Sequence, residues 1–490
     1  MACATEGEEE DTILAYVDEN NLYGSALCQY LPHSEFEWVG DSGHEDPEGA
    51  GNLNTNAGLL KWLNDASHIQ SIAPDAEYGF LLEVDLDYPP EIHDRTSDYP
   101  LAPEQGAIGS DQFSPFMVQI YKELNQTTNM KTFTPVSKLL LTQTDKKAYV
   151  VHYRILQFYL EMGMRLVSVR RAIRFRQKEY LRPYLEYNSR KRQSAKNSFE
   201  KDFYKLKNNS LFGKTMEDVR KRIDYRLKTR PEDVAKAVNS PLFYDREIIS
   251  ENLVGLHMLK PQVELNKPIY IGQAVLDYSK LEMYNLFYKT INLPGPLIAD
   301  VKLLAGDTDS FFMEIRVKKV QAAIDEQISG LSSRDKVFAQ WRNLLDSSNY
   351  PPKHPLFSDL NKARLLCFKD ETAGREVNEM VFLRPKMYSL QFAASDSTIK
   401  RAKGIGRPQV AALAHADYRA AFENAVVTST TMVTFRSENH QVRTVTIKKR
   451  ALSAWEDKRY WISANESLPY GHYKTVASAA PPPPLSDTDN

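Results

Sequence analysis

The alternation of apolar and polar residues predicts a strand, a tight turn and a second strand near residue 307. Two apolar runs of strand-like composition, Lys302–Ala305 and Phe311–Ile315, flank the polar segment Gly306-Asp307-Thr308-Asp309. A short segment with Gly and Asp between two such runs is typical of a hairpin turn. The sequence therefore predicts a hairpin with two carboxylates at its tip. The triplet alone assigns no function, because it recurs at Asp487-Thr488-Asp489 in a proline-rich tail.

The rest of the pattern predicts a mixture of strands and helices. The predicted elements, in chain order, are a strand at 12–18, a turn and helix at 20–31, a polar loop at 40–60, a strand at 78–89, mainly helical structure over 150–230, a strand at 268–274, a helix capped by Asp277, a helical region near 316–345 and mixed structure to about 475. In the helix after Asp277, apolar residues recur at helical spacing: Leu281, Tyr284, Tyr288 and Ile291. The last fifteen residues, rich in Pro and Ser, are predicted to be disordered.

A predicted helix near residue 205 carries two different stripes. The stripe predicted to face the core consists of Phe199, Phe203, Leu206 and Ser210. The second stripe, roughly 100° away around the helix, consists of Lys205, Asn209 and Phe212. A lysine, an amide and a flat ring on one helix face can contact a triphosphate and stack near a base. The alternative is a solvated Lys–Asn pair on an ordinary amphipathic helix.

Composition places the chain among ordinary globular proteins. It has 490 residues, of which 42% are hydrophobic and 26% are charged. No apolar run reaches the roughly 18–20 residues of a membrane span. The acidic start, ATEGEEED, is unlike a signal peptide, and the three cysteines are far apart. We therefore expect an intracellular protein that is not secreted and has no membrane partner.

The net charge of −2 conceals a strong segregation of charge. Residues 146–230 contain 24 Lys and Arg but only 8 Asp and Glu, so this segment carries +16 and the remainder −18. Aromatic residues are interleaved with these cations. Such a segment indicates a polyanionic partner, with nucleic acid as the first candidate. The alternative is a set of solvated helix faces.

Three carboxylates are candidate metal ligands. Asp18 ends the first predicted strand, and Asp307 and Asp309 lie at the hairpin tip. Two strands that each present a carboxylate could hold two divalent cations about 3.5–4 Å apart. Such a site suits Mg²⁺ and phosphoryl or nucleotidyl transfer. An EF-hand loop is excluded because Phe311 and Phe312 occupy its fifth and sixth positions, whereas the DxD motif of a glycosyltransferase stays open.

Five segments, in the expected order, resemble motifs of the protein-primed branch of family B DNA polymerases. The closest likeness is to the enzymes of Polinton/Maverick transposons and related DNA viruses. The segments are DENNLYG (18–24), KLKNNSLFGK (205–214), DTDS (307–310), KMYS (386–389) and KRAKGI (400–405). The resemblance extends from residue 12 to about residue 475. It favours a polymerase over a glycosyltransferase.

The resemblance implies an α+β right-hand polymerase fold, with an antiparallel-sheet palm, helical fingers and a small thumb. The implied divisions are an acidic leader at 1–11, a first palm segment at 12–35, an insertion that contacts the priming protein at 36–165, fingers at 166–215, a second insertion at 216–265, a second palm segment at 266–395, a thumb at 396–475 and a disordered tail at 476–490.

The resemblance also implies template-directed DNA synthesis from dNTPs with two Mg²⁺ ions, or Mn²⁺ in their place. The implied metal ligands are Asp18 and Asp309, with Asp307 contributing. The implied nucleotide contacts are Tyr23 as steric gate against ribonucleotides, Lys205 at the triphosphate, Asn209, and Arg192 from the run Arg190–Arg192. The implied DNA contacts are Lys386 and Tyr388 at the primer terminus and Lys403 at the duplex backbone.

The sequence also departs from the family pattern. Only 17 residues precede Asp18, so we expect synthesis without a 3′–5′ exonuclease in this chain. Phe212 replaces the usual tyrosine, and Ala305-Gly306 replaces a pair that commonly contains an aromatic residue. The expected partners are template-primer DNA, dNTPs and a priming protein, and the expected location is the host nucleus. The alternative is a catalytically inactive, domesticated or truncated derivative that retains DNA binding.

Overall fold

A computed structural model describes residues 1–6, 10–40, 56–126, 129–293, 295–319, 330–393, 395–438 and 441–477. Most of the predicted polar loop at 40–60 and of the predicted disordered tail lies outside the described residues. The chain has a mixed α/β fold in which nearly all strand pairs are antiparallel. No described helix combines the length and apolarity that a membrane crossing requires.

The strands of the described residues are β1 (Ala2–Cys3), β2 (Thr5–Glu6), β3 (Glu10–Glu19), β4 (Leu31–Val39), β5 (Tyr78–Asp87), β6 (Glu104–Gly106), β7 (Lys138–Leu140), β8 (Lys146–His152), β9 (Arg165–Lys178), β10 (Asp224–Lys228), β11 (Phe243–Ser250), β12 (Leu253–Met258), β13 (Ile298–Gly306), β14 (Ser310–Lys318), β15 (Leu345–Asp346), β16 (Phe368–Asp370), β17 (Val377–Arg384), β18 (Met387–Phe392), β19 (Thr398–Ala402), β20 (Thr428–Glu438), β21 (Gln441–Leu452), β22 (Tyr460–Trp461) and β23 (Ser467–Leu468).

The α-helices of the described residues are α1 (Leu22–Leu27), α2 (Asn56–Leu63), α3 (Ala66–Ser71), α4 (Pro115–Asn125), α5 (Tyr153–Glu161), α6 (Arg182–Gln193), α7 (Ser198–Thr215), α8 (Pro231–Val238), α9 (Ile269–Leu286), α10 (Ser333–Gln340), α11 (Arg407–Ala412), α12 (His415–Glu423) and α13 (Tyr473–Ala477). A π-helical turn, Phe287–Ile291, continues α9.

The central sheet has the strand order β13-β14-β3-β16-β15, with β2 beside β3. Side chains of its middle strand β3 point alternately into two hydrophobic cores. Ile13 and Val17 pack with residues of β14, α9 and α10, whereas Leu14 packs with Phe312 and residues of β17 and β18. Because both faces are covered, β3 is a nearly continuous apolar run. The predicted strand at 12–18 and the predicted hairpin around 307 are confirmed.

A second sheet has the order β4-β9-β5-β8 and packs against α5 and α9. The prediction of mainly helical structure over 150–230 is wrong for residues 165–178, which form the long strand β9. Pairing with β4 and β5 on its two edges overrides the local helical periodicity. This sheet joins residues on both sides of the predicted domain boundaries at 35/36 and 165/166, and the division into domains stays a prediction.

The helix α9 corrects two further predictions. It runs through 269–286, so the predicted strand at 268–274 is wrong. Asp277 lies inside this helix rather than at its start, and it is buried. Its Oδ2 atom accepts hydrogen bonds from the backbone N–H of His152 at 2.8 Å and from Nε2 of Gln273 at 3.0 Å. Asp277, predicted to cap a helix, instead joins α9 to the strand β8 through its hydrogen bond with His152.

Smaller units surround these two sheets. Strand β1 joins β17, β18 and β19 in one sheet, and β2 pairs with β3, so residues 2–3 and 5–6 of the predicted acidic leader are paired with the rest of the chain. The β18–β19 pairing also crosses the predicted boundary at 395/396. Strands β10, β12 and β11 form a three-stranded sheet, and β20 and β21 form a long, mostly exposed hairpin. In the region near 316–345, residues up to 318 are strand and the helix α10 begins only at Ser333.

Candidate active site

The pairing of β3 with β14 brings two of the predicted carboxylates together. Asp18 lies directly opposite Ser310, the residue after Asp309. The backbone N–H of Glu19 donates to the backbone carbonyl of Asp309 at 2.6 Å. Both carboxylates are partly buried. The antiparallel register therefore places Asp18 and Asp309, which are far apart in sequence, at one edge of the central sheet.

A strained turn presents Asp307 beside this pair. Thr308 adopts φ 66°, a left-handed conformation that is unusual for a β-branched residue. Nζ of Lys386 lies 3.0 Å from Oδ1 of Asp307. Lys386 itself has φ 62° in the short turn between β17 and β18. An ion pair therefore joins the tips of the two hairpins, and Asp307 already has a cationic partner.

The negative charges of the three carboxylates repel one another. Burial and the charge of Asp309 raise the pKa of Asp18 to about 7. Burial and the charge of Asp307 raise the pKa of Asp309. The ammonium of Lys205 acts in the opposite direction on both groups. The negative charge at this edge of the sheet thus exceeds what the nearby lysines compensate.

Two of these carboxylates have the donor chemistry of a divalent-cation site. Among the described residues, no group of three or more His, Cys, Asp or Glu side chains is arranged as a metal site. Asp18 and Asp309 supply hard oxygen donors with uncompensated charge, which is what Mg²⁺ prefers when phosphates and water complete its shell. The pair therefore fits such an ion, while Asp307 is held by Lys386.

Two further charged residues, Lys369 and Glu371, lie at this edge and were not predicted from the sequence. In β16, Lys369 lies directly opposite Asp18. Its Nζ lies 3.6 Å from Oε1 of Glu371, and both residues influence the pKa of Asp18, in opposite directions. The short segment 368–370 pairs with a strand that is about 350 residues earlier in the chain. No local pattern reports that pairing.

The helices α1 and α7 meet at the predicted steric gate. The rings of Tyr23 and Phe212 are stacked, with centroids 4.4 Å apart and planes 12° from parallel. Burial and the charge of Asp309 raise the pKa of the Tyr23 hydroxyl, which therefore lies near the carboxylates. The structure brings Tyr23, Phe212 and Lys205 to the edge that carries Asp18 and Asp309. Their roles stay predictions.

The stripe predicted to face the core on α7 was wrong. Phe199 and Leu206 are 77% and 64% exposed, and Phe203 and Ser210 are exposed as well. The buried residues of α7 are Asn208 and Thr215. The helix packs on α6, α1 and α9 through this other side. Asn209 is exposed and lies one turn beyond Lys205.

Of the three basic residues 190–192, the structure places Arg192 at the site. Arg190 pairs with Glu186, and Lys191 lies over the ring of Tyr187. Arg192 is partly buried, and its Nε has no hydrogen-bond partner among the described residues. It lines a small cavity of about 70 Å³ together with Asn20, Lys201, Asp346 and Lys369, among others. Burial lowers the pKa of Arg192.

The three predicted DNA contacts lie close to one another. The backbone N–H of Lys403 donates to the carbonyl of Lys386 at 3.0 Å. Lys386 and Lys403 are exposed, whereas Tyr388 is buried against Tyr16 and Phe312. Lys403 is therefore accessible to a ligand, whereas the ammonium of Lys386 already pairs with Asp307 and the Tyr388 ring contributes to the core beneath them.

Three comparisons relate the chain to known proteins. No protein-family model matches the chain, and no curated protein matches it. Solved structures of phi29 DNA polymerase are similar to it. The ternary complex of that polymerase with primer-template DNA and incoming nucleotides gives a TM-score of 0.42 at 11% identity, over 92% of this chain and 60% of the polymerase. An orthorhombic crystal form of the same polymerase gives a TM-score of 0.43 at 12% identity, over 92% of this chain and 61% of the polymerase. The chain thus spans about three fifths of the length of that polymerase.

Proposed function

We propose that this chain is a DNA-directed DNA polymerase that transfers nucleotides from dNTPs to a primer 3′-hydroxyl. The observation that carries the proposal is the convergence of Asp18, Asp309, Lys205 and the Tyr23–Phe212 stack at one sheet edge. These residues come from three separate sequence motifs that resemble family B polymerases. A structural role alone would not require crowded carboxylates beside an exposed lysine.

Asp18 and Asp309 would hold two Mg²⁺ ions, with Asp307 available if its ion pair with Lys386 opens. When bound, the ions would neutralise phosphate charge and activate the primer hydroxyl. Asp307 and Lys386 instead hold the two turns in place.

The chain's own cations and rings would position the nucleotide. Lys205 is exposed, and its ammonium is close enough to Asp18 and Asp309 to lower the pKa of both carboxylates, so it can contact a triphosphate bound beside them. The Tyr23 ring, stacked on Phe212, offers a flat surface below the sugar and would disfavour a 2′-hydroxyl. Arg192 is a partly buried guanidinium without a carboxylate within 4.0 Å among the described residues, which suits an anionic ligand.

We extend the proposal to initiation from a hydroxyl on a separate priming protein and to origin in a mobile element or virus. Both are supported by the motif resemblance.

Primer extension by the purified chain, with Mg²⁺ and dNTPs, tests the proposal. Asp309→Asn should reduce the extension rate by about 1,000-fold, because several kcal/mol of charge stabilisation would be lost. The matched control is Asp300→Asn, on the adjacent strand β13, where the carboxylate pairs with Arg316. This control should extend primers at the normal rate.

Two outcomes would contradict the proposal. Equal extension by the parent chain and Asp309→Asn would mean that these carboxylates are not catalytic. DNA binding by both proteins without extension by either would instead support the non-catalytic alternative. Omission of Mg²⁺ should abolish extension by the parent chain and leave its fold unchanged, which thermal unfolding would show.

A further inference from the structure

The hairpin of α6 and α7 carries an exposed cluster of aromatic rings around one lysine. We call it the aromatic–lysine face and define it by Tyr184, Phe199, Phe203, Tyr204 and Lys207. Nζ of Lys207 lies 5.7 Å from the ring centroid of Tyr184, 5.6 Å from that of Phe203 and 5.9 Å from that of Tyr204. The rings of Phe199 and Phe203 are nearly parallel, with an interplanar angle of 14° and centroids 6.4 Å apart.

The helix geometry directs the two phenylalanines of this face away from the protein core. Phe199 and Phe203 lie about 40° apart around α7, on the side opposite the buried residues Asn208 and Thr215. Phe203 is 47% exposed, and Phe199 is more exposed still. Large apolar side chains on such a stripe normally face a core. Their exposure at neighbouring positions indicates a surface that binds a ligand.

The charges around the rings favour an anionic ligand. Within the described residues, no carboxylate lies within 4.0 Å of Lys207 or Lys191, and each lysine lies over an aromatic ring instead. The two acidic residues of the first turns of α7 act elsewhere. Glu200 accepts from the backbone N–H of Lys196, and Asp202 lies on the side of Arg192. The face is therefore aromatic and cationic.

Exposed rings with lysines among them suit unpaired nucleotides. Bases that are not in a duplex stack on aromatic side chains, while lysines contact the phosphates. A duplex would offer the phosphates but hide the base faces. We propose that the aromatic–lysine face binds single-stranded nucleic acid. Resting on the proposed function, the bound strand is the unpaired template that approaches the site, because Lys205 projects from the same helix.

Single-strand binding by the full chain tests this inference directly. The probe is a labelled oligo-dT, longer than one binding site of about 4–16 nucleotides, followed by fluorescence anisotropy. The double variant Phe199→Ala/Phe203→Ala should bind at least about tenfold more weakly, since each stacked base is worth about 1–3 kcal/mol. Its unfolding temperature should stay the same because both side chains are exposed.

A matched control and a second probe separate stacking from charge. Trp38→Ala is the matched control, because it removes another ring that is 57% exposed and that lies beneath the guanidinium of Arg171. The Trp38→Ala variant should bind oligo-dT as the parent chain does. An abasic oligonucleotide has phosphates without bases, so the parent chain and the double variant should bind it equally. Equal binding of oligo-dT by both proteins would overturn the inference. An equal loss on both probes would overturn the stacking role.

Two further outcomes separate this inference from the proposed function. The double variant should extend a primer on a one-nucleotide template overhang and slow down on a long overhang. If the parent chain extends neither substrate but still binds oligo-dT through these rings, the proposed function fails and the inference stands. If the double variant changes only the association state of the chain without DNA, the face binds protein and the inference is wrong.

Discussion

Two parts of the basic segment 146–230 use their cations in opposite ways. In β9, all five arginines pair with carboxylates: Arg165 with Glu91, Arg170 with Asp85, Arg171 with Glu83, Arg174 with Glu37, and Arg176 with Glu35 and Glu77. In α6 and α7, five cations have no carboxylate within 4.0 Å among the described residues: Lys191, Arg192, Lys201, Lys205 and Lys207. The excess charge of a segment therefore does not say which cations are available to a polyanion.

Strand register and helix exposure account for this difference. β9 lies between β4 and β5, and cross-strand neighbours hold acidic side chains opposite its arginines. In the hairpin of α6 and α7, Arg190 pairs with Glu186 and Lys214 with Glu217, but Lys191 and Lys207 lie over aromatic rings instead of beside carboxylates. We therefore expect polyanion binding to depend on α6 and α7 and to be nearly independent of β9.

The largest effect should come from Lys205. Lys205→Ala should lower the rate of nucleotide incorporation by about 10–100-fold, because a charge-assisted contact to the triphosphate is lost. Single-nucleotide extension at limiting dNTP measures it. The control is Arg174→Ala in β9, which should change incorporation by less than about twofold because Glu37 already neutralises this arginine. A comparable loss in both variants would show that pairing does not separate the two regions.

A second prediction concerns the stability of the β9 region. Asp85 accepts hydrogen bonds from Nε and Nη2 of Arg170 at 2.9 and 3.0 Å. Asp85→Asn should lower the Tm at pH 7 by a few degrees while DNA binding stays the same. The exposed Asp75→Asn serves as control and should leave the Tm unchanged.

The pH dependence of this effect has a defined sign. Hydrogen bonds from Arg170 and from the Ala148 N–H hold the pKa of Asp85 below its usual value. The stabilisation is therefore present above the unfolded pKa of about 3.9 and is lost as the pH falls through the lower folded value. The Tm difference between the parent chain and Asp85→Asn should persist at pH 5 and shrink only below about pH 3.9. A difference that vanished near neutral pH would contradict this assignment.

The smallest effect should come from single exposed cations. Lys191→Gln should reduce the slope of log K against log salt for single-stranded DNA by about 0.7, the value for one phosphate contact. Anisotropy titrations at several salt concentrations measure the slope. Arg171→Gln should leave it unchanged, because Glu83 neutralises Arg171 at 2.7 Å. Equal slopes for the two variants would remove the distinction between paired and unpaired cations.

Local patterns predicted the parts of the fold that short-range chemistry determines. The hairpin around Asp307 and Asp309 follows from a polar turn between two apolar runs, and β3 follows from its apolar composition. Periodicity also predicted the helix α7. The stripe assigned to its core face was wrong, because the buried positions of α7 include the polar residues Asn208 and Thr215.

Long-range pairing explains the predictions that failed and the residues that were missed. The strand β9 has local features of a helix, and only β4 and β5 make it a strand. Lys369 and Glu371 come to the site through β16, whose three residues carry no signal for pairing with β3. The ion pair between Asp307 and Lys386 likewise joins two hairpins whose meeting depends on tertiary packing.

The buried carboxylate of Asp277 limits how this chain can be divided. It accepts a hydrogen bond from the backbone N–H of His152, the last residue of β8 in the region 36–165. The helix α9, which carries Asp277, also packs against the central sheet. Deleting 36–165 would leave this charge buried without that donor and would expose an edge of β9. The packing of α9 therefore depends on this region, and we expect its deletion to destabilise the rest of the chain.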